Sequence, residues 1–144
     1  MSTISQELKL FLNLTIIQSI IVKRFDARLQ NHGISLNEFM ILHHLANVPD
    51  EKLRRTDVAE KVGLTASGIT RMLSPLEKLG YVKREANSRD ARVSYVKLAN
   101  AGKKIYLEAI ATAEATTEQI MASVKTRKLD DLQKMLSELG STIE

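Results

Sequence analysis

Between Thr65 and Lys78 the chain sets out hydroxyls and cations at helical spacing: Thr65, Ser67, Thr70, Arg71, Ser74 and Lys78. Wound at about 100° per residue, Ser67, Thr70, Arg71, Ser74 and Lys78 fall on one arc. Ile69, Met72, Leu73, Leu76 and Leu79 fall on the opposite one. A merely solvated face has no need of that composition, with Glu77 as its one acid. Hydroxyls bond phosphates or base edges, and Arg grips guanine through two parallel bonds. The arc therefore predicts a helix that reads double-stranded DNA in the major groove. A second group follows: Arg84, then Ser88-Arg89-Asp90-Ala91-Arg92. Arg89 and Arg92 at a polar hairpin tip suit the minor groove, where negative potential draws guanidinium groups. Phosphate would repel Asp90, so it is expected to orient an arginine from within the tip. A plain surface hairpin of mixed charge is the alternative.

Charge follows the same division. From Lys52 to Lys97 the bases Lys52, Arg54, Arg55, Lys61, Arg71, Lys78, Lys83, Arg84, Arg89, Arg92 and Lys97 face the acids Asp57, Glu60, Glu77, Glu85 and Asp90. That segment carries +6 and the remainder −2, within an overall +4. Such asymmetry is an electrostatic footprint for phosphate, which an ordinary solvated surface can mimic.

Several chemistries lack their residues. With no cysteine, disulfides, thiolate metal sites and thiol redox switches are excluded. His43 and His44 are adjacent on a helix, so their side chains diverge and cannot face one metal together. With no Gly-rich phosphate loop, nucleophile elbow or zincin pattern, neither an enzyme nor a cofactor is expected. At 4% aromatics and no Trp, a stacking platform for single strands is improbable. The longest apolar stretch, Leu8 to Val22, is broken by Lys9, Asn13, Thr15, Gln18 and Ser19, with neither basic leader nor cleavage site. The expectation is a soluble, cytoplasmic protein without a membrane partner.

These residues need elements to hold them. At 144 residues, 44% hydrophobic, one domain with an appendage is expected. Arg55 to Ser74 has the spacing of a helix-turn-helix. Ala59 is small at the crossing, Gly63 suits a turn needing positive φ, and Val58, Val62, Leu64, Ile69 and Met72 form the core between the helices. Thr56 and Thr65 are placed to cap the two helices, and Pro75 is expected to kink or loosen the second. Strands from Tyr81 to Glu85 and Val93 to Leu98 make the wing.

Flanking helices frame this unit. The first, Ile4 to Gln30, carries two apolar rows, Ile4, Leu8, Leu12, Ile16, Ile20 and Leu10, Leu14, Ile17, Ile21, Phe25, more than one partner can cover. Gly33 ends it, and Ser35-Leu36-Asn37-Glu38 has the form of a capping box that starts a helix to about Asn47. Two more helices are predicted, Asn100 to Lys125 and Leu129 to Ile143. In the last, Leu129, Leu132, Leu136, Leu139 and Ile143 are spaced 3, 4, 3, 4, the seam of a helix lying nearly parallel to another. Packing within one chain explains that seam about as well as a dimer does. Together with the over-apolar first helix it favours a symmetric homodimer.

Leu64-Thr-Ala-Ser-Gly-Ile-Thr-Arg71, Leu76-Glu-Lys-Leu-Gly-Tyr-Val82, and Asp90-x-Arg92 followed by Leu98 and Gly102 resemble the MarR family of bacterial regulators over nearly the whole chain. The family usually has Thr where Ala99 stands, so Asn100 is expected to cap the following helix. The resemblance implies a mainly α fold with a small β wing, a winged helix-turn-helix (35–99) flanked by dimerisation helices (1–34 and 100–144) in one domain. It also implies a homodimeric repressor on a palindromic operator, released by a small phenolic or other aromatic anion. Carried over by residue, Ser67, Thr70 and Arg71 would meet the major groove, Arg92 with Arg89 the minor groove, and Asp90 would hold the wing. Arg24, Arg28 and His44 are candidates to line an anion cleft. A winged helix used to dock a protein is the reading from another class.

Overall fold

The computed structural model describes residues 3–125 and 128–143. Helix α1 spans Gln6–Leu29 behind Ser5, whose Oγ accepts from Leu8 N–H (3.1 Å). A single 3-10 turn, Gln30–His32, ends at Gly33 with φ 74°, a left-handed conformation that glycine adopts without a Cβ penalty. Helix α2, Leu36–Ala46, opens on a complete capping box, with Glu38 N–H donating to Ser35 Oγ (3.1 Å) and Ser35 N–H to Glu38 Oε1 (2.8 Å). Asp26 of α1 accepts from Leu36 N–H (2.7 Å), so the corner between α1 and α2 is tied from both sides.

A short strand follows, β1 (Lys52–Arg54), then α3 (Arg55–Val62), α4 (Ala66–Lys78), β2 (Val82–Ala86) and β3 (Ser94–Leu98). The sheet runs β1-β3-β2, all antiparallel. The first strand escapes sequence inspection because three residues carry no periodicity of their own; its order comes from pairing Lys52 with Lys97 and Arg54 with Tyr95. Gly63 (φ 69°) closes α3, and Gly68 N–H donates to Thr65 Oγ1 (3.1 Å) to cap α4. Thr56 does not cap: α3 starts two residues sooner than its spacing suggests, with Arg54 at the cap position and no side-chain bond there. Helix α4 continues through Pro75 to Lys78.

Ile41, Leu42 and Leu45 of α2, Val58 and Ala59 of α3, Ile69, Leu73 and Leu76 of α4, and Val82, Val96 and Leu98 of the sheet make one core with Leu29, Tyr106 and Ala109. Leu79, expected on the apolar arc of α4, is 53% exposed because the helix ends at Lys78 and Gly80 (φ 75°) turns the chain toward β2.

Helix α5 (Asn100–Met121) begins at Ala99, with no side-chain cap; Asn100 is its first helical residue rather than the cap. The anchorage is instead backbone, Ala99 N–H to Tyr81 C=O (3.0 Å). Gly102 sits so close that a Cβ there would collide with the Tyr81 carbonyl. Helix α6 covers Leu129–Glu138, and Gly140 (φ 116°) stops it short of Ile143. Leu129, Leu132, Met135 and Leu139 are each about half exposed, as are Phe11, Leu12, Ile16 and Ile17 of α1. Among the described residues, no helix is long and apolar enough to cross a membrane.

Candidate nucleic-acid interface

The outer side of α4 is open. Thr65, Ser67, Thr70, Arg71, Ser74 and Lys78 are all exposed, while Ile69, Leu73 and Leu76 anchor the inner side. These hydroxyls are not equally free. Thr70 Oγ1 donates to Ala66 C=O (3.1 Å) and accepts from Arg55 Nη2 (3.3 Å), and Arg55 also pairs with Glu77 (3.3 Å). Thr65 Oγ1 lies 3.3 Å from Ser67 Oγ. Arg71 and Lys78 make no hydrogen bond or ion pair with another described residue. Arg55, read from the sequence as part of the phosphate footprint, is thus the strut between α3 and α4, neutralising the one acid of the helix.

The wing tip is organised by Asn87. Its Oδ1 accepts from the N–H groups of Arg89 (2.8 Å) and Asp90 (3.1 Å), its Nδ2 donates to Tyr95 Oη (3.1 Å), and its N–H donates to Val93 C=O (3.2 Å). An Asx turn of this kind replaces backbone partners that a tight tip cannot supply. Asp90 then accepts from Arg92 N–H (3.0 Å) and ion-pairs with its guanidinium (Nε, 3.2 Å). The Arg92 side-chain bond, followed by the backbone bond, holds the Asp90 carboxyl below its ordinary range. With its side chain still 91% exposed, Arg92 keeps donors for an outside acceptor. Ser88 and Arg89 are exposed at the tip. Arg84 pairs with Val96 in the register, on the sheet face whose Val82 and Leu98 turn to the core, and is itself exposed where the wing outruns that core.

Arg54, counted from the sequence only within the basic excess of 52–97, is exposed beside the wing. With Arg55, Thr56, Arg92, Val93 and Ser94 it lines a cavity of about 230 Å³ between the start of α3 and the wing. Pairing of β1 with β3 brings it there, and the only sequence signal was the Arg54-Arg55 doublet within that excess. Lys52, by contrast, is spent internally on Glu85 (3.4 Å) and over the Tyr95 ring (5.0 Å).

Farther from this surface, Phe25, Phe39, His43, Tyr106, Ile110, Ala113, Glu114 and Thr117 enclose a cavity of about 380 Å³ between α1, α2 and α5. The Phe39 and Tyr106 rings lie 5.3 Å apart, and Tyr106 Oη and His43 Nδ1 are 2.8 Å apart. Arg28 and His44 each line a different cavity, so Arg24, Arg28 and His44 do not converge on one anion cleft: Arg28 looks toward α5, and His44 toward α3. His43 is half-buried and His44 only 6% exposed. No group of three or more potential His or carboxylate metal ligands occurs among the described residues.

Residues 32–93 match the sequence profile of the MarR family. Among curated proteins, the chain is 22% identical over 127 residues to the transcriptional repressor MprA of Escherichia coli, a match covering 88% of this chain and 72% of that one. Among solved structures it is similar to Sco3205, a MarR family transcriptional regulator of Streptomyces coelicolor in complex with DNA, with TM-score 0.79 and 24% identity over 96% of this chain and 86% of that one. It is also similar to the organohalide-sensing regulator RdhR-CbdbA1625 in its 2,4-dichlorophenol-bound form, with TM-score 0.80 and 21% identity over 95% of this chain and 80% of that one.

Proposed function

We propose, from the match of residues 32–93 to the MarR family, that this chain is a MarR-type regulator: a homodimeric, cytoplasmic transcriptional repressor of palindromic sites in double-stranded DNA, released by a small aromatic or phenolic anion. The observation that carries the reading is the open row Ser67, Arg71, Ser74 and Lys78 on α4, set beside a wing whose Arg92 is oriented by Asp90 yet 91% exposed. A rigid helix face whose Arg71 and Lys78 side chains have no partner among the described residues reads base edges in the major groove. Arg89 and Arg92 enter the neighbouring minor groove. Thr65, Thr70, Arg84 and Ser88 border the backbone, and Arg54 adds a phosphate contact. The DNA complex of the structural relative Sco3205 supports duplex DNA as the partner.

Residues 1–34 and 100–144 form the dimer frame, and 35–99 the reading unit. Its support is the apolar surface of α1 and α6, where Ile16 is 57% exposed and Leu132 50%, a patch that a lone chain in water would leave uncovered. The effector is assigned to the aromatic cavity of Phe25, Phe39, His43 and Tyr106; the dichlorophenol form of RdhR-CbdbA1625 supports a phenolic ligand. Selection of duplexes from a random pool by the purified protein, with and without 2,4-dichlorophenol, tests this reading. Palindromic enrichment lost on adding the phenol is expected; no enrichment, and no salt-dependent duplex affinity, would remove it.

A further inference from the structure

His43 and His44 lie side by side near the end of α2 and both line one cavity there, but their hydrogen bonding differs. His43 turns to Tyr106 and the aromatic cavity. His44 turns to the other side, is 6% exposed, and its Nε2 has no hydrogen-bond partner among the described residues. Folded proteins rarely leave a buried polar atom unpaired, so such an atom asks for a ligand.

A cavity of about 310 Å³ adjoins it, walled by His43, His44 and Asn47 of α2 and its cap, Val48, Lys61 of α3, and Thr142 and Ile143 of the C-terminal tail. The tail is fastened there, for Thr142 Oγ1 donates to Lys61 C=O (3.1 Å). Among the described residues, the wall offers a cation in Lys61, no carboxylate, polar groups in His43, His44, Asn47 and Thr142, and aliphatic surface in Val48 and Ile143. Few convergent polar groups beside apolar wall, in a volume of a few hundred Å³, describe a small-molecule site.

We propose that this cavity binds a small aliphatic monocarboxylate, held by Lys61 and His44, with its hydrocarbon part against Val48 and Ile143 beneath the tail. The arrangement suits an anion and not a cation. Burial, then His43 and Lys61, depress the His44 pKa, so the ring enters as a neutral group that can donate one N–H while Lys61 supplies the charge. His43 borders both this cavity and the aromatic one, whose other lining residues differ, and the site stands whether or not the chain binds DNA.

The test titrates the full ¹⁵N-labelled protein with sodium butyrate, following the imidazole nitrogens by long-range ¹⁵N–¹H correlation and affinity by calorimetry. Butyramide and sodium chloride at matched ionic strength serve as controls. A saturable shift of His44 Nε2 with butyrate alone is expected. Lys61→Met keeps the hydrocarbon stem and lowers butyrate affinity about tenfold or more, the loss expected for one charge-assisted bond; Thr142→Val, which unfastens the tail, lowers it less. A His44 signal unmoved by millimolar butyrate, or moved equally by butyramide or chloride, overturns the proposal. So does undiminished butyrate affinity in folded Lys61→Met, judged by its unchanged amide spectrum.

Discussion

Replacing Arg71 by Ala separates reading from folding. Arg71 is exposed on α4 and has no hydrogen bond or ion pair to another described residue, and Ala is at least as good a helix former as Arg. Stability should therefore stay within about 0.5 kcal/mol, as for surface substitutions away from special features. A bidentate contact to guanine is worth about 1–3 kcal/mol of discrimination, which converts to roughly a 5- to 150-fold loss of affinity for the selected site. Fluorescence anisotropy on the selected duplex and on duplexes changed at single positions, each across a salt series, measures this, and thermal unfolding supplies the stability control. The loss should concentrate at one base position per half-site. An even loss on every duplex, with the salt slope reduced by about 1, would make Arg71 a phosphate contact. An unchanged profile would mean that α4 is not the reading helix.

Other expectations follow from the packing. Gly102→Ala drives a Cβ into the Tyr81 carbonyl, which cannot swing away as a side chain does, so a loss of about 1–3 kcal/mol is expected in urea unfolding despite the better helix propensity of Ala; equal stability would mean that α5 can back away freely. Leu132→Glu puts charge on the apolar seam of α6 and, with Ile16→Glu on α1, should turn a dimer into monomer by sedimentation equilibrium, and persistence of the dimer in both would relocate the interface. His44 resists protonation in the fold, through burial first and then His43 and Lys61. Below about pH 6.5 the unfolded chain takes up a proton that the folded chain refuses, so stability is full above that pH and falls as pH drops toward the lower folded pKa. His44→Gln should flatten that part of the urea-midpoint profile, and an unchanged slope would show that other groups set it.

The legible parts of the fold were those whose causes are local. The capping box at Ser35 and Glu38, the left-handed Gly33 and Gly63, and the Thr65 cap each depend on atoms within a few residues, and all form. Thr56 was misjudged because a cap depends on where the first turn begins, and pairing of β1 moved that point to Arg54. At the candidate interface, the open face of α4 could be drawn from periodicity alone. That Arg55 consumes Glu77 and part of Thr70 could not, because the partners lie 15 and 22 residues away.

The residues themselves determine a basic winged helix-turn-helix: hydrophobic period, glycine at positive φ and side-chain caps act over one or two turns, and the matched segment 32–93 lies where those signals are densest. Tertiary structure alone decided which charges remain available. Strand pairing set Arg54 beside Arg92, drew Lys52 onto Glu85, and left His44 against a cavity closed by a tail nearly a hundred residues away. Charge can be counted along a chain, but whether it is spent depends on which distant group the fold brings within a few ångströms.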